Sequence, residues 1–242
     1  MRAYPEPVHN RLLRALPAAT LERLRPALSL VHIDRGQSIG REVGPVEHVY
    51  FVNRGLVSLV KTMSDGRSVE VAAVGVEGLT HPNALLGSGR AVLDVTVQIP
   101  LAAFRMERET LVREMQADGA LDQLIQNYVR FAYGQIAQSA ACNGLHSLEE
   151  RCCRWLLTAA DSALSDTFPL THELLAMMLG VQRSGVSIAA RILKKAELID
   201  YSRGEVTILD RAGLEETACE CYLSLKEQAD ELFAPPPAVR RA

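Results

Sequence analysis

The chain has 242 residues, of which 48% are hydrophobic and 23% charged, and carries a formal net charge of −3. These values fit one or two globular domains and exclude both a disordered polymer and a protein that coats nucleic acid by bulk positive charge. The N-terminal stretch MRAYPEPVHNRLLRALPAAT lacks the apolar run of a secretory signal and no window is long enough to span a bilayer, so the expectation is a cytoplasmic protein without a membrane partner.

In chain order, PVHNRLLRALPAATLERLRPAL predicts one or two short helices broken at Pro17 and Pro26. Residues 30–106 change rhythm. In VEHVYFVNRGLVSLVKTMSDGRSVEVAAVG, apolar and polar residues alternate in short runs punctuated by Arg54-Gly55 and Asp65-Gly66, and VLDVTVQIP and LAAFRME continue the pattern. Short strands with regular turn signals predict a β-roll or barrel, with both dipeptides read as hairpin turns.

From about residue 107 the apolar period returns to that of a helix. Leu121, Leu124, Ile125, Tyr128, Phe131, Ala132 and Ile136 form a broad stripe, which needs a partner surface. Its place between a β module and the cationic pair of helices taken next favours dimerisation, with Leu121, Ile125, Tyr128, Ala132 and Ile136 at the interface. Asn143-Gly144 in ACNGLHS is expected to break this helix as a hinge, and Ser147 to cap the next one, LEERCCRWLLTAAD.

LLAMMLGVQRSGVSIAARILKKAELI then reads as two short helices joined at a glycine. Thr171 is placed to cap the first, Leu174, Leu175, Met178 and Leu179 give it an apolar stripe, and Gly180 permits a sharp turn. Val186, Ala189, Ala190 and Leu193 line one face of the second helix, while Arg183, Ser184, Ser187, Arg191 and Lys194 fall opposite. Small Ala176, then Gly180, then Val186 suit a helix-turn-helix. An ordinary helical hairpin would explain the stripes equally well but not the charge: between Gly180 and Gly204 stand Arg183, Arg191, Lys194, Lys195 and Arg203 against Glu197 and Asp200. LIDYSRGEVTILD follows as a hairpin wing with Arg203 at its tip. The expected DNA-binding set is Arg183, Ser184, Ser187, Ile188, Arg191, Lys194 and Arg203.

The five cysteines are Cys142, Cys152, Cys153, Cys219 and Cys221. The Cys219-x-Cys221 pair, with His172 as a conceivable neighbour, is expected to be buried thiol rather than a metal ligand, because no second pair has zinc-like spacing. No cofactor, metal or catalytic residue is expected. The chain has no G-x-S-x-G, H-E-x-x-H or Walker-type motif, which disfavours an enzyme. A second rival, a β-roll sensor working through protein contacts without DNA, is disfavoured by the cationic helix and wing.

This order of parts resembles the Crp/Fnr superfamily of bacterial transcription regulators. DRGQSIGREVGPVEHVYFVNRGLVSLV is similar to the family's opening strands with turn glycines Gly36, Gly44 and Gly55, DGRSVEVAAVGVEG to the hairpin before its effector pocket, and RSGVSIAARILKKAELI to its recognition helix. The resemblance implies an α+β protein: an N-terminal jelly-roll-like β-roll sensor (1–117), a long dimerisation helix and hinge (118–144), a winged helix-turn-helix domain (145–225) and a tail (226–242). It implies a homodimer that sets one recognition helix per subunit in successive major grooves of double-stranded DNA; RNA polymerase is a further expected partner. Cyclic-nucleotide binders of the family carry a Gly-Glu pair and an Arg-Ser or Arg-Thr in LTHPNALLGSGRAV, where this chain has His81-Pro82 and Arg90-Ala91. Pro82 has no N–H for a phosphate and no carboxylate replaces the Glu, so the signal is expected to be other than cyclic AMP, with His81, Asn83 and Arg90 the candidate effector-pocket residues. The iron–sulfur branch needs N-terminal cysteines, and none precedes Cys142.

Overall fold

The computed structural model describes residues 6–233. Two short helices, α1 (Arg11–Ala15) and α2 (Ala18–Leu24), open it, with a 3-10 turn at Arg25–Ala27. Proline ends each run where the sequence places it. Asn10 caps α1 by accepting from the Leu13 N–H at 3.0 Å, and its amide donates to the carbonyls of Val52 and Gly78 at 2.8 Å each, which fastens α1 to the sheet.

The sheet contains β1 (Ser29–Ile33), β2 (Ser38–Gly40), β3 (His48–Thr62), β4 (Ser68–Val74) and β5 (Asp94–Glu107). It is antiparallel in the order β1-β5-β3-β4, with β2 paired to β5. Asp65-Gly66 is a turn as expected, with Gly66 at φ +85° and the Asp65 carboxylate accepting from the Arg67 N–H. Arg54-Gly55 is not: β3 runs through it with shifted register. Gly55 sits at φ +100°, and a Cβ there would lie 2.3 Å from the Pro100 carbonyl oxygen. The glycine serves a bulge that bends a long strand, not a hairpin.

Strand alternation divides the sheet's apolar residues. Val52, Val57, Leu59, Val95 and Val97 form the interior of the roll. Val49, Phe51, Phe104 and Met106 face outward against α1 and against α3 (Arg108–Ala117) and α4 (Gly119–Leu145). Asp118 caps α4, accepting from the Ala120 and Leu121 N–H groups, and is itself held by Thr20 and Arg23.

Two expectations about α4 are corrected. Leu121, Ile125, Tyr128 and Ala132 are buried within the protomer, the first three packed into the outward core of its own β-roll, and Ile136 packs on the roll's interior cluster. The stripe therefore docks the helix onto its own sensor and is not a free dimer surface. Nor does Asn143-Gly144 break the helix, which continues through Leu145; an interior glycine costs only about 1 kcal/mol. The break falls at His146-Ser147, where Ser147 and Glu150 form a capping box for α5 (Leu148–Ala163).

The C-terminal part contains β6 (Thr167–Pro169), α6 (His172–Leu179), α7 (Arg183–Lys195), β7 (Ile199–Ser202), β8 (Glu205–Ile208), α8 (Arg211–Thr217) and α9 (Cys221–Leu232). Its three strands pair in the order β6-β8-β7. Trp155, Phe168, Leu175, Met178, Val186, Leu193 and Val206 share one core with Leu56, Val60, Ala73 and Ile99 of the sheet. Because α9 spans residues 221–232, the expected boundary at 225/226 falls inside a helix. Of the expected tail, residues 234–242 lie outside the described residues. No helix among the described residues is long and apolar enough to cross a membrane.

Candidate nucleic-acid interface

Thr171 caps α6 by accepting from the Leu174 N–H at 3.2 Å, and Gly180 closes the helix at φ +65°. The chain turns through Val181 and Gln182 into α7. Val186, Ala189 and Leu193 bury one face of α7 against α5 and α6. The opposite face leaves Arg183, Ser184, Ile188, Arg191 and Lys194 exposed, Ile188 at 53%. Arg203 and Gly204, at φ +54° and +79°, form the two-residue turn joining β7 to β8, so Arg203 stands at the tip of the wing.

The cations of this face are not equivalent. Arg183 Nε pairs with Glu173 Oε1 at 2.7 Å and Lys194 Nζ with Asp200 Oδ1 at 2.5 Å, all four side chains well exposed. Such pairs contribute about 0–1 kcal/mol and yield readily to phosphates or base edges. Ser187 departs from the expectation. Its hydroxyl donates to the Arg183 carbonyl at 3.0 Å and meets His172 Nδ1 at 2.9 Å, so its one proton is used inside the motif and one acceptor lone pair remains. His172 also stacks on Tyr201 at 4.4 Å between centroids. Burial first and the nearby Arg183 cation second lower its pKa, which favours a neutral ring. His172 and Tyr201 thus tie α6, α7 and β7 together. Sequence reading placed no role on Tyr201, and only a residue pairing across 29 positions could have signalled one.

The expected effector residues separate in space. His81 is buried in the left-handed region at φ +57°, with Nδ1 3.0 Å from Thr80 Oγ1 and Nε2 without a hydrogen-bond partner. Burial lowers its pKa to about 4. It lines a cleft of about 290 Å³ with Ser38, Gly40, Glu47, His48 and Tyr50. Arg90 is not part of this lining: its guanidinium donates to the Val43 carbonyl, and Asn83 Nδ2 donates to the Arg90 carbonyl at 3.0 Å. The Arg90 guanidinium is thus engaged with backbone and does not line the cleft.

His172 does not approach the Cys219-x-Cys221 pair. The residues that do are Cys142 and His146, one turn apart on α4 and its C-cap. Sequence spacing could not show this, since a separation of 77 residues lies between Cys142 and Cys219.

A bent antiparallel roll, a long helix and a winged helix-turn-helix with an exposed cationic second helix define a regulator that joins a sensor to a DNA reader. Comparison with known families agrees. Residues 30–118 match the cyclic nucleotide-binding domain and residues 150–217 the Crp-like helix-turn-helix domain. The chain belongs to the Crp/Fnr family of transcription regulators, with a cyclic nucleotide-binding-type domain and a helix-turn-helix DNA-binding domain. No curated protein sequence matches the chain. Solved structures share the fold at low identity. A Crp/Fnr-family transcriptional regulator from Eubacterium rectale is 18% identical, over 86% of this chain and 98% of its own, with a TM-score of 0.66. FixK2 from Bradyrhizobium japonicum is 18% identical over 79% and 98%, at 0.67. A CRP-family regulator from Thermus thermophilus is 22% identical over 78% and 96%, at 0.65.

Proposed function

We propose that this protein is a cytoplasmic, homodimeric, sequence-specific regulator that reads an inverted-repeat operator with α7, under the control of a signal other than cyclic AMP. The observation that carries the reading is the exposed row Arg183, Ser184, Ile188 and Arg191 beside the wing-tip Arg203. Arg183 stands at the N-terminal end of α7, the end that reaches base edges in helix-turn-helix docking, and is assigned to a guanine; Ile188 suits a thymine methyl. Arg191, Lys194 and Arg203 are assigned to phosphates, and Ser187 to holding the motif's shape.

The domain division follows the same reading, with the hinge moved to His146-Ser147 and α9 kept whole. Dimerisation is reassigned to the face of α4 that touches neither the roll nor α9: Arg130, Tyr133, Ala137, Ala140, Ala141 and Gly144, with Tyr133 76% exposed. Small residues at helical spacing let two helices approach closely. The rejection of cyclic AMP rests on Pro82 and on Arg90 being turned to the Val43 carbonyl. No catalytic role is assigned.

Selection of bound genomic fragments by the purified full chain tests the reading. Enrichment of one inverted repeat, with half-site centres roughly 34 Å apart and binding that falls steeply with salt, is expected. Failure to enrich any motif, with salt-insensitive binding, would favour the protein-contact sensor instead.

A further inference from the structure

The function proposed above leaves one cluster unused. Cys142 Sγ, a ring nitrogen of His146, Cys219 Sγ and Cys221 Sγ all lie within 4.8 Å of one another. Cys142 and Cys219 are 3.6 Å apart at sulfur, and Cys221 Sγ is 3.6 Å from His146 Nδ1. All three thiols are buried and His146 is half-buried. The cluster falls between and after the two matched family segments, which end at residues 118 and 217, so neither family match assigns it a role.

We propose that Cys142, His146, Cys219 and Cys221 form a mononuclear, four-coordinate site for a thiophilic divalent cation of the zinc class. A tetrahedral ion with bonds of about 2.3 Å to sulfur and about 2.0 Å to nitrogen sets its sulfurs about 3.8 Å apart and its sulfur–nitrogen edges at about 3.5 Å. The Cys142–Cys219 and Cys221–His146 spacings lie close to those edges, and every other pair of the four falls within 4.8 Å. They are too long for a formed disulfide, whose sulfurs lie about 2.05 Å apart. They are also too compact for a multi-iron cluster, which spreads its cysteines over several irons. Three soft thiolates and an imidazole select zinc-class ions over magnesium or calcium.

The surroundings are those of a ligand set already oriented. His146 presents Nδ1 to the sulfurs, while Nε2 lies 3.0 Å from Glu220 Oε2, the carboxylate partner that fixes a ligating imidazole. Gln138 Nε2 donates to Cys221 Sγ at 2.9 Å. Three thiolates with one dication leave a charge of −1, and the Arg154 guanidinium acts electrostatically on Cys142 and Cys219. Cys142 and His146 occupy the i and i+4 positions at the end of α4, and Cys219-x-Cys221 enters α9. The ion therefore staples the hinge end of the long helix to the C-terminal helix.

The test uses the full chain, purified without oxygen and loaded with zinc or cobalt. Expected are one equivalent of zinc per chain and, with cobalt, the intense visible bands of tetrahedral coordination plus thiolate-to-metal charge transfer. Cys219→Ser should abolish the charge-transfer band's full intensity and the stoichiometric zinc, and Glu220→Gln should weaken binding about 10–100-fold while keeping the tetrahedral spectrum. On the unmodified chain, zinc should protect three cysteines from alkylation until a chelator removes it, a readout that survives if the variants misfold. Substoichiometric zinc, an octahedral cobalt spectrum, iron with acid-labile sulfide, or a Cys142–Cys219 disulfide in the anaerobic protein would each overturn the proposal. None of these readouts depends on DNA.

Discussion

Glu70 lies on β4 at the junction of the sensor sheet with the DNA-binding part, and its environment makes the junction sensitive to pH. Trp155 Nε1 of α5 donates to Glu70 Oε1 at 3.1 Å, and the Ser58 hydroxyl bonds Oε2 while lying 3.2 Å from Met178 Sδ of α6. Burial raises the Glu70 pKa from 4.5 to about 7, against the smaller opposing effects of Ser58, Arg154 and Trp155. Below pH 4.5 the carboxyl is protonated whether the chain is folded or unfolded. As pH rises from there toward 7, only the folded state keeps the proton, so stability is progressively lost; above 7 the whole cost stands. At about 1.4 kcal/mol per pH unit the interval amounts to about 3 kcal/mol. Glu70→Gln should therefore gain stability over the unmodified chain by a margin that grows by about 3 kcal/mol between pH 4.5 and pH 8. Urea unfolding at several pH values measures that margin, and taking the difference between variants cancels other titrating groups: Glu77, which with Glu70 and Trp155 lines a cavity of about 220 Å³ and is also raised, and His81, lowered to about 4, whose contribution is lost as pH falls below 6.5. Trp155 is the only tryptophan, so its native-state fluorescence should also titrate near pH 7 and cease to do so in Glu70→Gln. A stability difference independent of pH would refute the reasoning, whatever its size.

Arg183→Ala should cost about 1–3 kcal/mol per half-site at the preferred operator and relax base preference, whereas Arg203→Ala should weaken all DNA alike and reduce the salt slope by about one unit; equal loss on operator and random DNA for Arg183→Ala would remove it from base reading. Ala140→Glu should yield a folded monomer in sedimentation, because the side chain lies on the exposed face of α4. Ile125→Asp should instead unfold the sensor, since Ile125 is fully buried in its own protomer. Isothermal calorimetry should detect no micromolar cyclic AMP binding; binding abolished by Arg90→Ala would overturn the assignment of the signal.

What sequence reading captured is what local physics determines. The α6–α7 pair followed from apolar spacing, a threonine cap and a glycine that the structure holds at φ +65°, and the wing from an Arg-Gly turn between two short apolar runs. The cap at Ser147 was legible for the same reason, though Glu150 as its capping-box partner was not. What failed depended on which surface an element meets. An apolar stripe on α4 shows that a partner exists but not whether it is another subunit or the chain's own β-roll. Arg54-Gly55 carries a turn's composition, yet the 15-residue strand β3 passes through it because strand pairing with β5 on both sides outweighs the local signal. Ser187 has the helical phase of a DNA-facing residue, and its further contact with His172 of the preceding helix could not be read from that phase. The four donors around Cys142 were invisible because two come from the end of one helix and two from the start of another far along the chain.

The contacts at Glu70 also bear on how a signal in the sensor would reach the reader. The long helix and its hinge are one route. A second and shorter path would be direct contact, since hairpin β3–β4 touches the DNA-binding part: Ser58 meets Met178, Glu70 meets Trp155 of α5, and a Cβ on Gly180 would stand 3.1 Å from Val69. Leu56, Val60, Ala73 and Ile99 add apolar contact to the same core. Arg151 of α5 donates to the carbonyl of Leu179, the last residue of α6. A ligand shifts an equilibrium only by its differential affinity for the two states. An effector need therefore only favour a sheet geometry that fits or frees α5 and α6, and α7 must follow because His172 and Tyr201 bind it to its neighbours. Zinc at the far end of α4 would act on the other route, through the α4–α9 junction, leaving the two routes separable by mutation at Met178 and at Cys219.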